Sequence, residues 1–137
     1  MLQQGALSGL KVVEFSDQVA GSFCARLMGD AGADVVKVEP LDGDRYRRSG
    51  PFPGGTPDPE WSGMFLYLNS NKRGVSLDIE ALGGRTVFQD LVAAADFLVV
   101  GENSSKIERL GLRREKLSET NQGLIVTSIT PFGLTGP

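Results

Sequence analysis

The sequence predicts an α/β fold: an open, mostly parallel sheet of about five strands with flanking helices, of Rossmann-like type. Three observations carry this. Short apolar runs rich in β-branched residues recur along the chain, as buried parallel strands require. Two helical stripes between them share one spacing, i, i+1, i+4, i+5 and i+8. At 137 residues with 40% hydrophobic content, the chain suits one domain with a real core.

Residues 10–39 read as strand, loop, helix, loop, strand. Val12, Val13 and Phe15 form the first run, and Asp34-Val35-Val36-Lys37-Val38 the second. Phe23, Cys24, Leu27, Met28 and Ala31 share one helical face, which is expected to be the buried one. Such a unit aims backbone N–H groups at the crevice beyond the strand ends, where a helix N-terminus favours an anion. Gly21, Gly29 and Gly32 do not make the G-x-G-x-x-G spacing of dinucleotide sites. Gly21 suits a tight strand-to-helix turn, and Gly32 a left-handed helix end.

Residues 40–63, rich in Pro, Gly and charge, read as a long surface loop that either closes its arginines over a ligand or moves without a partner. An apolar patch at 64–68 runs into a basic corner, and 74–78 alternates like a short strand. Asp78 is placed to cap a helix over 79–95, whose Val87, Phe88, Leu91, Val92 and Ala95 repeat the first helical stripe. Residues 97–100 are a buried strand stopped by Gly101. Ser105 and Glu108 make a capping box for a short helix with Gly111 as its stop. Residues 113–119 add a charged helical turn, and 124–129 the last strand. Residues 130–137 then enter a loop with no element to pack on it, which predicts a truncated fragment of a longer enzyme.

Composition removes several function classes. No run of 18 apolar residues exists, so no membrane partner is expected, and residues 1–8 lack the basic start and apolar core of a secretory signal. Cys24 is the only cysteine, which excludes an internal disulfide and points to a reducing cytoplasm. There is no histidine, so zinc sites, Ser-His-Asp triads and Cys-His dyads cannot be assembled, and no metal is expected. The net charge of −3 offers no global positive field, and no nucleic-acid partner is expected. Positive charge is local: Arg45, Arg47 and Arg48; Lys72 and Arg73; Arg113, Arg114 and Lys116. Such clusters suit a polyphosphate better than a duplex, with Arg47 and Lys72 as candidate contacts.

Taken together, LSGLKVVEFS, AGSFCARLMGDAGADVVKVEP, GDRYR, NSNKRGVSLDI, ADFLV, ERLGL and SITPFGLTGP, in this order and spacing, resemble the amino-terminal part of the class III coenzyme A transferases. That family is the carnitine and bile-acid type, which includes formyl-CoA transferase and α-methylacyl-CoA racemase. The resemblance implies an α/β nucleotide-binding-type domain and coenzyme A as substrate. For the parent it implies an acyl-CoA and a carboxylic acid as reactants, and a homodimer or partner subunit. It implies an aspartate that attacks the thioester to give an anhydride, then an aspartyl-CoA thioester; a carboxylate suits this because it is ionised at neutral pH. That aspartate would lie beyond Pro137, leaving no catalytic residue in this chain, with Asp17 as the one local substitute. By position, Gln18, Val19 and Ala20 match the loop that approaches CoA, Leu77 a residue near the adenosine, and Arg109 an arginine reaching the nucleotide. Two departures point to an alternative, a non-catalytic relative acting as scaffold or partner subunit; a racemase fragment is a further one. Glu80 stands where a lysine is common, and Val100-Gly101-Glu102 with Asn103-Ser104-Ser105 replaces the usual Glu-Asn-Phe and Arg-Pro-Gly.

Overall fold

In the computed structural model, which describes residues 5–135, five strands form one all-parallel sheet. They are Lys11–Ser16 (β1), Asp34–Glu39 (β2), Lys72–Ser76 (β3), Phe97–Gly101 (β4) and Ile125–Ser128 (β5), in the order β3-β2-β1-β4-β5. The chain winds outward from β1 to β3, then returns to lay β4 on the other side of β1. The order reverses between β1 and β4, the place where open α/β sheets leave a crevice. The helices are Val19–Asp30 (α1), Gly63–Asn69 (α2), Leu82–Ala93 (α3), Ser104–Leu110 (α4) and Arg114–Leu117 (α5).

Strand alternation divides the core in two. Val13, Phe15, Val38, Leu98 and Val100 pack on one face with Phe88 and Val92 of α3 and Ile107 and Leu110 of α4. Val12, Val35 and Val99 pack on the other with Ala25 of α1. The expected buried stripe of α1 is corrected here. Gly21, Ser22 and Ala25 face the sheet, while Phe23 and Leu27 are exposed and Cys24 and Met28 half-buried. The reason is closeness: a Cβ at Gly21 would lie 2.3 Å from Ser16 Oγ. Only small residues fit against β1, so the larger ones turn outward, where Phe23 stacks on Tyr67 with centroids 6.3 Å apart. In α3 the stripe is nearer the mark, with Phe88, Val92 and Ala95 buried and Val87 exposed.

Two caps also differ from expectation. Asp78 Oδ1 accepts from the N–H of Glu80 at 3.0 Å in a turn ahead of α3, which therefore starts at Leu82. Asn103, not Ser105, caps α4 by accepting from Lys106 N–H at 2.8 Å. Gly111 ends that helix at φ 69°, and Gly32 leaves α1 at φ 99°, both in the region that favours glycine.

The sheet face under α1 holds charge. Glu14 of β1 and Lys37 of β2 are register partners, and both are almost wholly buried. Lys37 Nζ donates to Glu14 Oε1 at 2.8 Å, Ser16 O at 2.7 Å and Ser22 Oγ at 3.3 Å, and lies 2.8 Å from Asp44 Oδ2. Four oxygens thus surround three N–H groups. Burial lowers the Lys37 ammonium's pKa, but Glu14 and Asp44 outweigh it and leave the value raised. From β3, Lys72 Nζ donates to Glu14 Oε2 at 2.6 Å, Ser22 O at 2.8 Å and Asn69 Oδ1 at 2.8 Å.

The same group anchors the long segment between β2 and α2, which contains two short 3₁₀ turns, Arg45–Arg48 and Pro53–Gly55. Arg47 Nε and Nη2 donate to Glu39 at 2.6 and 2.9 Å, with the guanidinium 3.8 Å over the Phe65 ring. Buried Ser62 donates to Tyr46 O at 2.6 Å and caps α2 by accepting from Phe65 N–H.

Removing one member of a buried ion pair strands the other, a loss of about 3–5 kcal/mol. Lys37→Met is therefore expected to lower folding stability by about that amount, read as the midpoint of urea unfolding. An unchanged midpoint would show that the network contributes nothing.

Candidate functional site

The carboxyl ends of β1, β2 and β4, with the segments after them and after β3, enclose a cleft of about 270 Å³. Phe15, Val38, Leu77 and Ile79 give it an apolar floor. Its polar lining is acidic: Asp17, Glu39, Asp44, Asp78, Glu80 and Glu102 against Lys106. At the switch point the tips touch. A Cβ at Gly101 would lie 1.9 Å from Ser16 Oγ, so that position admits glycine only. Ser16 Oγ in turn accepts from Gln18 N–H at 3.1 Å, fixing the turn into α1. The first N–H groups of α1 have no side-chain cap.

The lining carboxylates are in different states. Burial pushes the Glu39 carboxyl up, but the Arg47 hydrogen bonds and the Asp44 N–H outweigh this and hold it below the usual carboxylate range. Asp44 is paired with Lys37. Arg109 Nη1 lies 2.8 Å from Glu80 Oε2, and its hydrogen bonds hold the Glu80 carboxyl low. Lys106 Nζ donates to Glu102 Oε1 at 2.7 Å and lies 5.2 Å from the Phe15 ring centroid. Burial, reinforced by Glu14, pushes the Cys24 thiol up, so it is neutral at physiological pH and a poor nucleophile.

The expected site residues divide into three groups. Leu77 and Asp17 line the cleft, whereas Arg109 lines a separate, larger cavity of about 1000 Å³ with Arg85, Phe88 and Leu117 and touches the cleft only through its pair with Glu80. Gln18 and Val19 follow Asp17 at the start of α1, while Ala20 lines a separate apolar groove with Phe23 and Leu27. Lys72 and Arg47 are committed inside the protein. Every N–H of Lys72 is used by Glu14, Ser22 and Asn69, and Arg47 holds Glu39 and Glu60. Sequence reasoning missed Glu14 and Lys37 beneath the cleft, and Asp44 and Lys106 within it. The signal for the first two was present: each is a charge inside a β-branched run, at equivalent places in VVEFS and VVKVE. Among the described residues, no group of three or more His, Cys, Asp or Glu is arranged to hold a metal, and no helix is long and apolar enough to cross a membrane.

The fold is thus an all-parallel α/β sheet with a cleft at its strand tips, the side on which open α/β sheets take ligands. More particularly, the sequence model described as CoA-transferase family III matches residues 7–137, and the chain belongs to that family. It is 41% identical over 130 residues to the succinyl-CoA:(R)-benzylsuccinate CoA-transferase subunit BbsE of Thauera aromatica, covering 95% of this chain and 32% of that protein. It is 38% identical over 133 residues to the succinyl-CoA–L-malate CoA-transferase beta subunit of Chloroflexus aurantiacus, covering 96% and 32%. A crystal structure of a CAIB/BAIF family protein from Brucella suis superposes with a TM-score of 0.87 at 37% identity, covering 98% of this chain and 36% of that one. The chain thus spans about a third of the length of the relatives it matches.

Because Glu39 titrates lower in the folded than in the unfolded chain, its stabilising contribution is present above the ordinary carboxylate pKa. It is lost as pH falls through the lowered value. Unfolding midpoints are expected to drop below about pH 4, and less steeply for Glu39→Gln, which starts from a lower stability at neutral pH. Parallel curves for the two proteins would remove Glu39 from this role.

Proposed function

We propose that this chain supplies the coenzyme A side of a family III acyl-CoA transferase site, with the reacting aspartate on polypeptide outside these 137 residues. The observation that carries the reading is the strand-tip cleft, with Leu77 on its floor and Glu80 of its lining joined to the exposed Arg109 in the neighbouring cavity. An apolar floor suits an adenosine or pantetheine group, and an exposed guanidinium suits a phosphate. Asp17 lines the cleft but has no histidine or lysine partner to activate it, and it serves here as lining. In the parent, that outside aspartate would attack the acyl-CoA carbonyl and expel CoA as thiolate. The thiolate would attack the aspartyl carbonyl of the anhydride, giving an aspartyl-CoA thioester and releasing the first acid. The acceptor carboxylate would displace CoA from that thioester to give a second anhydride, whose acyl carbonyl CoA then attacks to give the new acyl-CoA and the free aspartate.

The two relatives described above are subunits of CoA-transferases, and a succinyl-CoA–L-malate CoA-transferase alpha subunit from Chloroflexus aurantiacus also matches, at 34% identity. This supports a second polypeptide, either another copy or a different subunit, as part of the working enzyme. A second reading, a scaffold whose ligand site has decayed, is favoured by the acidic lining.

Calorimetry is expected to find CoA binding in the submillimolar range, weakened about three- to tenfold by Arg109→Ala. No transfer is expected when the chain alone is mixed with acyl-CoA and acceptor acids. Turnover by the chain alone would overturn the assignment of the aspartate to another segment. Absence of CoA binding would favour the scaffold.

A further inference from the structure

The cleft's charges do not balance. Glu39 and Asp44 are neutralised from within by Arg47 and Lys37. The remaining lining carboxylates, Asp17, Asp78, Glu80 and Glu102, share the cleft with one lining cation, Lys106, while Arg109 and Arg85 act on Glu80 from the neighbouring cavity. Lys106 and Arg109 are already taken by carboxylates of the lining itself. An anionic ligand therefore meets no preformed positive pocket.

From this we infer that Glu80 and Glu102 are specificity-determining residues. Each holds a cation until a more highly charged anion takes it over, so a phosphorylated ligand binds only by exchange of ion pairs, and each glutamate narrows the cleft's preference for phosphorylated over neutral ligands. The inference rests on the reading that this cleft takes coenzyme A.

The two pairs differ in how readily they exchange. Arg109 and Glu80 are 56% and 53% exposed, so solvent screens their bond and the guanidinium swings free at little cost. Lys106 and Glu102 are 32% and 12% exposed, and the lysine lies over the Phe15 ring, so this pair is screened less. Arg109 is the first cation to transfer, and Lys106 follows only for a ligand that reaches the floor. A phosphate with nearly two charges and three acceptor oxygens competes well against a single carboxylate for a guanidinium. A ligand without charge breaks neither pair. After exchange, both freed carboxylates still face the ligand, so each lowers its affinity until its charge is removed.

The test is calorimetry at low salt with CoA, dephospho-CoA and pantetheine against the wild-type chain, Glu80→Gln, Glu102→Gln, Lys106→Met and the double variant Glu80→Gln/Arg109→Ala. Glu80→Gln and Glu102→Gln are expected to tighten CoA about two- to fivefold while leaving pantetheine unchanged. Lys106→Met is expected to weaken CoA, and the double variant to lose the gain of Glu80→Gln. CoA binding that is equal or weaker in both glutamine variants would overturn the exchange and leave the cleft assignment standing. An equal gain for pantetheine would overturn it too, because the effect would then be one of shape. If neither wild type nor any variant binds CoA, the cleft assignment itself falls and takes the exchange with it. Binding by the glutamine variants alone would support the exchange in its strongest form. Near-ultraviolet circular dichroism checks that each variant keeps the native packing.

Discussion

One buried carboxylate organises the half of the molecule that walls the cleft. Glu14 accepts from Lys37 on the neighbouring strand and from Lys72 on the strand beyond, and Ser22 of α1 donates to it at 2.8 Å. Through Lys37 the same cluster reaches Asp44, 30 residues along the chain from Glu14, and so fixes the start of the long segment between β2 and α2. A carboxylate so far from water is costly unless every lone pair is met. Here the partners of Glu14 come from β2, β3 and α1, so its charge is satisfied only when all three are in place on β1, and Lys37 carries the cluster on to the loop. An apolar core would hold these elements together with less directional demand; the ion cluster fixes where each sits.

That cluster also explains the shape of α1. A helix laid over Glu14 and Ser16 must come close enough for Ser22 to reach the carboxylate. Gly21, Ser22 and Ala25 permit the approach, and Gly101 permits the matching approach of β4 to Ser16. The result is a crowded switch point with its open volume displaced toward β2, β3 and the start of α4. The strand-tip cleft is therefore lined by Leu77 and Lys106, with the tip of β1 as a wall.

The fold was largely legible from the sequence because its signals are local. Each β-branched run became a strand, and Gly111 stopped its helix in the left-handed conformation as written. The face of α1 was not legible, because a stripe of Phe23 and Leu27 outscores a stripe of Gly21, Ser22 and Ala25 on any hydrophobic scale. What decided the matter was the distance between helix and strand, which no local pattern contains. The caps failed for a related reason: Asn103, Ser104 and Ser105 are all good capping residues, and only the path of the chain chooses among them. At the site, Leu77 and Arg109 were reached through likeness to a family, whereas Lys72 and Arg47 were read as ligand contacts because a sequence shows a cation without its partner. Glu14 and Glu39 lie 58 and 8 residues from the cations they hold.

The fate of those cations follows a physical division. Lys37 and Lys72 lie on the sheet face under α1, where water is excluded and an unpaired ammonium is prohibitively costly, so each is fully surrounded by oxygen. Lys106 and Arg109, beyond the strand ends, keep part of their surface in water and need only one carboxylate. The first kind cannot turn to a ligand without stranding a buried acid, while the second can. A cation's freedom to turn to a ligand is thus set by its burial rather than by its element, since Arg47 beyond β2 is committed to Glu39 and Glu60 while Arg73 on β3 is exposed. Counting basic residues near the crevice overstates what the crevice offers an anion, and the pairs held by Lys106 and Arg109 are what remains once the interior has taken its share.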